Sequence, residues 1–219
     1  MDESDMPQPL SRVCPNGSYS IGATGEPTLS SRPELAALAM EAIASWSNVE
    51  AELLSAYIQL MGGKDDRAAV AYLSLETQSA KSNSIAAVAK TFLEETEVKV
   101  LNAILRLAKT NQKHRDKLAH WVWGICFELP DDILLANPKN MHSGYPDRRD
   151  VFVYTAKDFK KIIEGNKRLA AMAGCFISVV SRPPDMPESF QPLELLCMAP
   201  EIREILNLPA SPDQSQPSK

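Results

Sequence analysis

The sequence predicts a mainly α fold: a helical bundle of four to five helices with a small β-strand insertion before the last long helix. Two observations carry this prediction. Apolar residues recur at three- and four-residue steps over several long stretches, as on the buried face of an amphipathic helix. Short segments rich in apolar and β-branched residues lie between turn signals in the second half of the chain, as in short strands.

The first three helices are placed by apolar periodicity and by capping signals. The first is expected to begin at the capping segment Ser31–Glu34 and to end at the paired glycines Gly62–Gly63. A second stretch spans residues 65–92, and its polar, serine-rich middle is expected to bend or face solvent. A third helix is expected over residues 95–111, and residues 112–121 either continue it or form a separate short helix.

The strand insertion and the last long helix follow. Two or three short strands are expected within Trp123–Glu128, Ile133–Ala136 and Val151–Tyr154. Thr155 is a suitable N-cap for a long helix, and Pro183–Pro184 are expected to end it. Helices with one apolar face cannot bury it singly, so these elements are expected to pack together.

Three regions are expected along the chain. Residues 1–30 are rich in Pro, Gly, Ser and Asp without apolar periodicity, which predicts a disordered N-terminal arm. Residues 31–207 form the predicted helical bundle domain, with a last turn of helix at 200–206. Residues 208–219 are polar and predict a disordered C-terminal tail.

Charge and hydropathy limit the classes of partner. The chain has 219 residues and a formal net charge of −5, so a nucleic acid would have to bind a local basic patch rather than the protein's overall charge. No apolar run approaches the roughly 18 residues of a membrane helix. The acidic N-terminus is not followed by an apolar segment, which argues against a secretion signal. We therefore expect no membrane partner and a cytoplasmic location.

The cysteines and histidines predict neither a metal site nor a cofactor. Cys14, Cys126, Cys175 and Cys197 are far apart, without a C-x-x-C pair, which indicates free thiols in a reducing compartment. The three histidines lack both a carboxylate-rich cluster and H-E-x-x-H spacing. The sequence-based expectation is therefore a protein without metal or cofactor.

A basic segment lies in and after the third helix. Between residues 99 and 117 there are six basic residues and one acidic residue, Asp116, which gives a local charge of six minus one, or +5. Such a segment is either a solvated helix face or a patch for an acidic partner such as RNA.

Arg115, Asp116 and His120 are the candidate catalytic residues. Asp116 and His120 are four residues apart, so on a helix the carboxylate can orient the imidazole and favour its protonated form. Arg115 lies roughly 140° from His120 around an ideal helix, at about 100° per residue. One helix would therefore not focus both groups on one atom, whereas two copies of the chain could.

These groups suit metal-independent RNA cleavage. A histidine that titrates near neutrality can move a proton, and a guanidinium can clamp a phosphate. RNA supplies its own nucleophile, the 2′-hydroxyl, which DNA lacks. Neighbouring side chains are candidates for substrate binding, and Trp121 could stack on a base. This binding set comprises Lys113, His114, Lys117 and Trp121.

The order Arg115-Asp116-x-x-x-His120, behind several predicted helices, resembles the HEPN superfamily. In that family an arginine and a polar residue, most often Asn, precede a histidine at the start of a late helix. The resemblance implies a frequently dimeric helical bundle in which the motif residues of two subunits meet in one cleft. It also implies metal-independent RNA cleavage, in toxins, phage defence or RNA processing, with an antitoxin or other protein as partner. Many members of the family are inactive binding modules.

A second interpretation carries no chemistry. In this alternative the chain is a non-catalytic helical interaction module whose basic helix face binds a protein partner. Arg115 would then make a structural salt bridge rather than hold a phosphate.

Overall fold

The computed structural model describes residues 7–22, 28–63, 66–141, 144–181 and 191–209. This part of the chain is mainly α-helical, as predicted, and contains eight α-helices and one five-stranded sheet. The prediction of a bundle of four to five helices is not matched, because one predicted helix is divided and short helices occur near both ends of the chain.

Along the chain, two short strands on either side of a short helix are followed by four helices, then three strands, then three helices. The helices are α1 (Leu10–Val13), α2 (Pro33–Leu60), α3 (Asp66–Leu73), α4 (Gln78–Phe92), α5 (Glu95–His120), α6 (Ala156–Ser181), α7 (Pro192–Met198) and α8 (Pro200–Leu206). The strands are β1 (Gln8–Pro9), β2 (Tyr19–Ile21), β3 (Val122–Cys126), β4 (Ile133–Ala136) and β5 (Val151–Tyr154). A short 3₁₀ helix, Pro138–Met141, separates β4 from β5.

The long helices begin and end close to the residues that the sequence indicated. After α2, Gly62 and Gly63 adopt left-handed backbone angles, with φ of 103° and 76°, and Gly63 N–H donates to the Ile58 carbonyl. The segment Gln112–His120 continues α5 instead of forming a separate helix. Helix α6 ends at Ser181, and Pro183–Pro184 lie outside the described residues.

The second predicted helix is interrupted rather than bent. Helix α3 ends at Leu73, and the Thr77 hydroxyl caps α4 by accepting a hydrogen bond from the Ala80 amide at 3.1 Å. Threonine at this position satisfies one of the amides that have no partner in the first turn of a helix. The polar middle of the stretch is therefore the start of a new helix.

The sheet is antiparallel, in the order β1-β5-β4-β3-β2. Strands β3, β4 and β5 form a meander, and the two N-terminal strands pair along its opposite edges. The prediction of a disordered arm over residues 1–30 is wrong for residues 7–22, because their backbone completes both edges of the sheet. Residues 1–6 and 23–27 of that arm lie outside the described residues.

The chain divides into two units, and the sheet belongs to the first, residues 1–47 and 111–167. Both faces of the sheet are covered. On one face Ile133, Leu135 and Tyr154 pack with helical residues such as Leu118 and Phe159. On the other face lies a second cluster formed by Leu10, Ile21, Cys126, Leu134, Ala136, Val151 and Val153. Burial on both faces explains the uninterrupted apolar run of β4.

The second unit, residues 48–110 and 168–219, is helical in its described part. The rings of Tyr57 and Tyr72 are 5.2 Å apart, and Arg168 forms an ion pair with Glu201 at 3.1 Å. Of the predicted C-terminal tail, residues 210–219 lie outside the described residues. Among the helices that are described, none combines the length and apolar character needed to cross a membrane.

Candidate functional site at the C-terminal end of α5

The predicted site residues from Lys113 to His120 occupy the last two turns of α5, and Trp121 follows directly. The unpaired carbonyls at a helix C-terminus carry partial negative charge and favour cationic side chains. Lys117 and His120 are the basic groups of the last turn. The family that the motif resembles carries it at the start of a helix, so its position here is a departure from that pattern.

Arg115 and Asp116 pair with each other at the surface. Arg115 Nη1 lies 3.2 Å from Asp116 Oδ1, and their side chains are 36% and 44% exposed. An ion pair this accessible to water contributes roughly 0–1 kcal/mol. The guanidinium is therefore not locked inside the protein, and a stronger anion could displace the carboxylate.

His120 is exposed at the end of the helix. The expected hydrogen bond between its imidazole and Asp116 is not formed; the carboxylate bonds to the neighbouring guanidinium instead. We find no hydrogen bond of the His120 side chain to any residue within the described ranges. Lys113 lies two helical turns earlier and is also exposed, so the two side chains share one accessible face.

Lys117 and Trp121 occupy another face of α5, directed at β5. The Lys117 ammonium lies 4.9 Å from the Trp121 ring centroid and 5.3 Å from that of Phe152. The Trp121 and Phe152 rings are 5.8 Å apart. Burial, followed by the charge of Lys113, lowers the pKa of Lys117. Both residues are half-buried, so each contributes to packing as well as to the surface.

His114 is half-buried, and its Nδ1 atom is enclosed without a hydrogen-bond partner. Burial is the largest cause that lowers its pKa, and the charges of Lys117 and Lys113 act in the same direction, against that of Asp158. His114 is thus held neutral by its surroundings, and its enclosed ring is less suited to binding substrate than the exposed Lys113.

We expect His114 to make the fold sensitive to mild acid. Its pKa is lowered in the folded protein, whereas an unfolded histidine titrates near about 6.5. As the pH falls below about 6.5, the unfolded chain takes up a proton before the folded chain does, so the free energy of unfolding decreases. His114→Gln should flatten the decrease in the free energy of unfolding that urea denaturation measures as the pH is lowered from about 7.5 to about 5. Gln112→Ala, in a neighbouring position of the same helix, removes no titratable group, so it is the control and should retain the wild-type slope. An unchanged slope in His114→Gln would contradict the assignment.

A second cluster was not foreseen from the sequence. Cys14, Cys126 and Glu128 bring two sulfurs and a carboxylate oxygen within 4.8 Å of one another. The Cys126 thiol donates to Glu128 Oε2 at 3.4 Å, and the Ser18 amide donates to the same oxygen at 2.8 Å. Cys14 follows α1 and Cys126 ends β3, and the pairing of β2 with β3 brings these two segments together. Because Cys14 and Cys126 are far apart in the sequence, motifs based on residue spacing do not detect this cluster.

Comparisons with known proteins give no relative. No protein-family model matches the chain, and neither a curated protein nor a solved structure is significantly similar to it.

Proposed function

We propose that the C-terminal end of α5 binds RNA and that the protein is a HEPN-like, metal-independent endoribonuclease. The observation that carries the proposal is the exposure of His120 and Lys113 on one face of α5, at a helix end where Arg115 is also accessible. An imidazole, an ammonium and a guanidinium are the groups that phosphodiester binding and proton transfer require.

Each residue has a distinct part in the proposed reaction. His120 takes the proton from the 2′-hydroxyl and, as the imidazolium, gives a proton to the leaving 5′-oxygen. Arg115 stabilises the charge that develops on the phosphate, after exchanging Asp116 for a phosphate oxygen. Lys113 and the half-exposed Lys117 bind the flanking backbone, and a base stacks on the partly exposed ring of Trp121. Attack by the 2′-oxygen leaves a cyclic phosphate on one product and a free 5′-hydroxyl on the other.

A homodimer would complete the site. Arg115 and His120 project in different directions from one helix, so a second copy is needed to place both groups on the same phosphate. In this arrangement the phosphate binds between the two copies, where it can contact His120 of one copy and Arg115 of the other. By the same resemblance, we propose a role in toxin or defence systems or in RNA processing, with an antitoxin or another protein as regulator.

The proposal is tested with mixed RNA in EDTA, with the fold verified by circular dichroism in the same buffer. We expect the wild type to produce cyclic-phosphate ends and to leave DNA intact. His120→Ala should slow cleavage by about 10²–10⁴-fold, the usual contribution of general acid–base catalysis, while it still binds RNA. Lys113→Ala should weaken binding, and Lys160→Ala, which removes an exposed lysine of α6, is its charge-matched control.

The alternative is a non-catalytic helical module that binds a protein partner. The observation that favours it is the ion pair of Arg115 with Asp116, which neutralises the proposed phosphate clamp. In the same assay this alternative predicts equal inertness of the wild type and His120→Ala, with no difference in RNA affinity between Lys113→Ala and Lys160→Ala.

A further inference from the structure

The cluster of Cys14, Cys126 and Glu128 shares no residue with the α5 surface, and its chemistry is independent of the proposed function. Its members come from three places: the end of α1, the end of β3, and the turn after β3. Cys126 is buried, Cys14 is half-buried and Glu128 is exposed. One side of the cluster is therefore closed by protein, and the other side is open to solvent.

The three donor atoms converge on one small space beside Gly17. A Cβ atom built on this glycine would lie 2.5 Å from Cys14 Sγ, 2.9 Å from Cys126 Sγ and 3.0 Å from Glu128 Oε2. Because such a Cβ would collide with the two sulfurs and press on the carboxylate, a glycine here lets the three donor atoms come within 4.8 Å of one another. Glycine is the residue that leaves this space free.

The distance between Cys126 and Glu128 fits two ligands of a zinc ion. With Zn–S near 2.3 Å and Zn–O near 2.0 Å, a tetrahedral ion separates sulfur and oxygen ligands by about 3.5 Å. Cys126 Sγ and Glu128 Oε2 are 3.4 Å apart. We propose that Cys14, Cys126 and Glu128 bind a thiophilic divalent cation of the zinc class, with water in the fourth position. Both thiols release their protons to solvent when the ion binds, because thiolates are the metal ligands.

Neighbouring groups hold the ligands in place. The Ser18 amide fixes the Glu128 carboxylate through its 2.8 Å hydrogen bond, as outer hydrogen bonds commonly orient metal ligands. Arg148 Nη1 donates to the Gly17 carbonyl at 2.6 Å and to the Cys14 carbonyl at 3.5 Å. Two thiolates and a carboxylate give a charge of −3, so a divalent ion leaves −1. The Arg148 guanidinium, bonded to the loop that carries Cys14, supplies a compensating positive charge.

The ligand set argues for zinc over other cations. Thiolates are poor ligands for Mg²⁺ and Ca²⁺, which prefer oxygen donors. Copper(I) is usually bound by sulfur alone, whereas zinc accepts carboxylates alongside cysteines. Three protein ligands with an open position are also typical of zinc sites that bind an exchangeable molecule.

The test is a Co²⁺ titration of the full-length, reduced protein without oxygen, followed by displacement with Zn²⁺. We expect saturation at one equivalent, with the absorption of tetrahedral cobalt and a sulfur-to-cobalt charge-transfer band. Cys126→Ser, Glu128→Gln and Gly17→Ala should each lower the affinity for cobalt by at least about 100-fold. Loss of a residue that only orients a metal ligand already lowers affinity by up to about 100-fold, and these changes affect the ligands themselves. The double variant Cys175→Ser/Cys197→Ser removes the other two thiols and should bind as the wild type does.

Two of these variants keep the result interpretable. Glu128 is exposed, so Glu128→Gln should fold normally, and Gly17→Ala removes no ligand but forces the donor atoms apart. Circular dichroism establishes that each variant is folded before it is titrated. The proposal is overturned if the wild type binds no cobalt, if its spectrum lacks sulfur coordination, or if the binding survives in folded Glu128→Gln and Gly17→Ala. It is also overturned if only a Cys14–Cys126 disulfide is found and the reduced protein takes up no metal.

Discussion

Gly124→Ala is expected to lower the free energy of unfolding by about 3 kcal/mol or more, at the upper end of the cost of overfilling a packed interior. Gly124 lies in β3, opposite Ile21 of β2. An added Cβ would overlap the Ser20 carbonyl oxygen and Ile21 Cδ1, and would lie 3.0 Å from Ile21 Cα. Because two of these three atoms belong to the backbone, no side-chain rotation can relieve the overlap. Strand β2 would have to move away from β3.

Thermal denaturation measures the effect, and a loss of this size corresponds to a decrease in Tm of roughly 6–12 °C for a chain of this length. The matched control is Gly174→Ala in α6, where an added Cβ meets the flexible Glu52 carboxylate at an ordinary 3.4 Å. In a helix interior this exchange should stabilise by about 0.5–1 kcal/mol. Equal Tm values for the two variants would show that β2 tolerates displacement and would contradict the close packing of β2 against Gly124.

The long helices could be predicted because their signals are local. Residues 33–60 carry both an apolar period and capping residues within a single stretch of sequence, and the same is true of α5 and α6. Strand β4 was equally predictable, because an apolar run of four residues between turn signals is too short for a helix and is typical of a buried strand. Each of these elements is specified by neighbouring residues.

The N-terminal strands could not be predicted because nothing local specifies them. Strand β1 has two residues, too few for an alternating pattern, and its partner β5 lies more than a hundred residues further along the chain. The composition of residues 7–22 resembles that of an unfolded segment, yet Leu10 and Ile21 are buried against the sheet. Residues 7–22 are therefore ordered by pairing with strands that are distant in sequence, and their own composition does not predict this order.

The same distinction separates the two candidate sites. Lys113, Arg115 and His120 are close in sequence and lie on one helix, so periodicity alone predicts which of them share a face. The sequence could not reveal that Asp116 pairs with Arg115 rather than His120, because both partners are within its reach. The cysteine cluster joins segments that are distant in sequence, so neither residue spacing nor periodicity predicts it.

The side-chain amide of Asn166 connects three helices of the first unit through hydrogen bonds. Its side chain is fully buried in α6. The amide nitrogen donates to Ser45 Oγ at 2.9 Å and to the Ala42 carbonyl at 3.3 Å, and Oδ1 accepts from Asn111 Nδ2 at 3.1 Å. One side chain thus joins α2, α5 and α6, and it needs both a donor and an acceptor to do so.

Asn166→Asp keeps the shape of this side chain and replaces its donor by a charged oxygen, so we expect a loss of about 3–5 kcal/mol at pH 7, the range for an uncompensated buried charge. Burial should raise the pKa of the new carboxyl above its unfolded value of about 3.9, so the loss should shrink as the pH falls and the folded protein takes up the proton. Urea denaturation at several pH values measures both effects. Asn83→Asp, the same exchange at an exposed position of α4, should change stability by less than about 0.5 kcal/mol. If the two variants lose equal stability, or if the loss in Asn166→Asp is the same at every pH, the three helices are not held together by this amide.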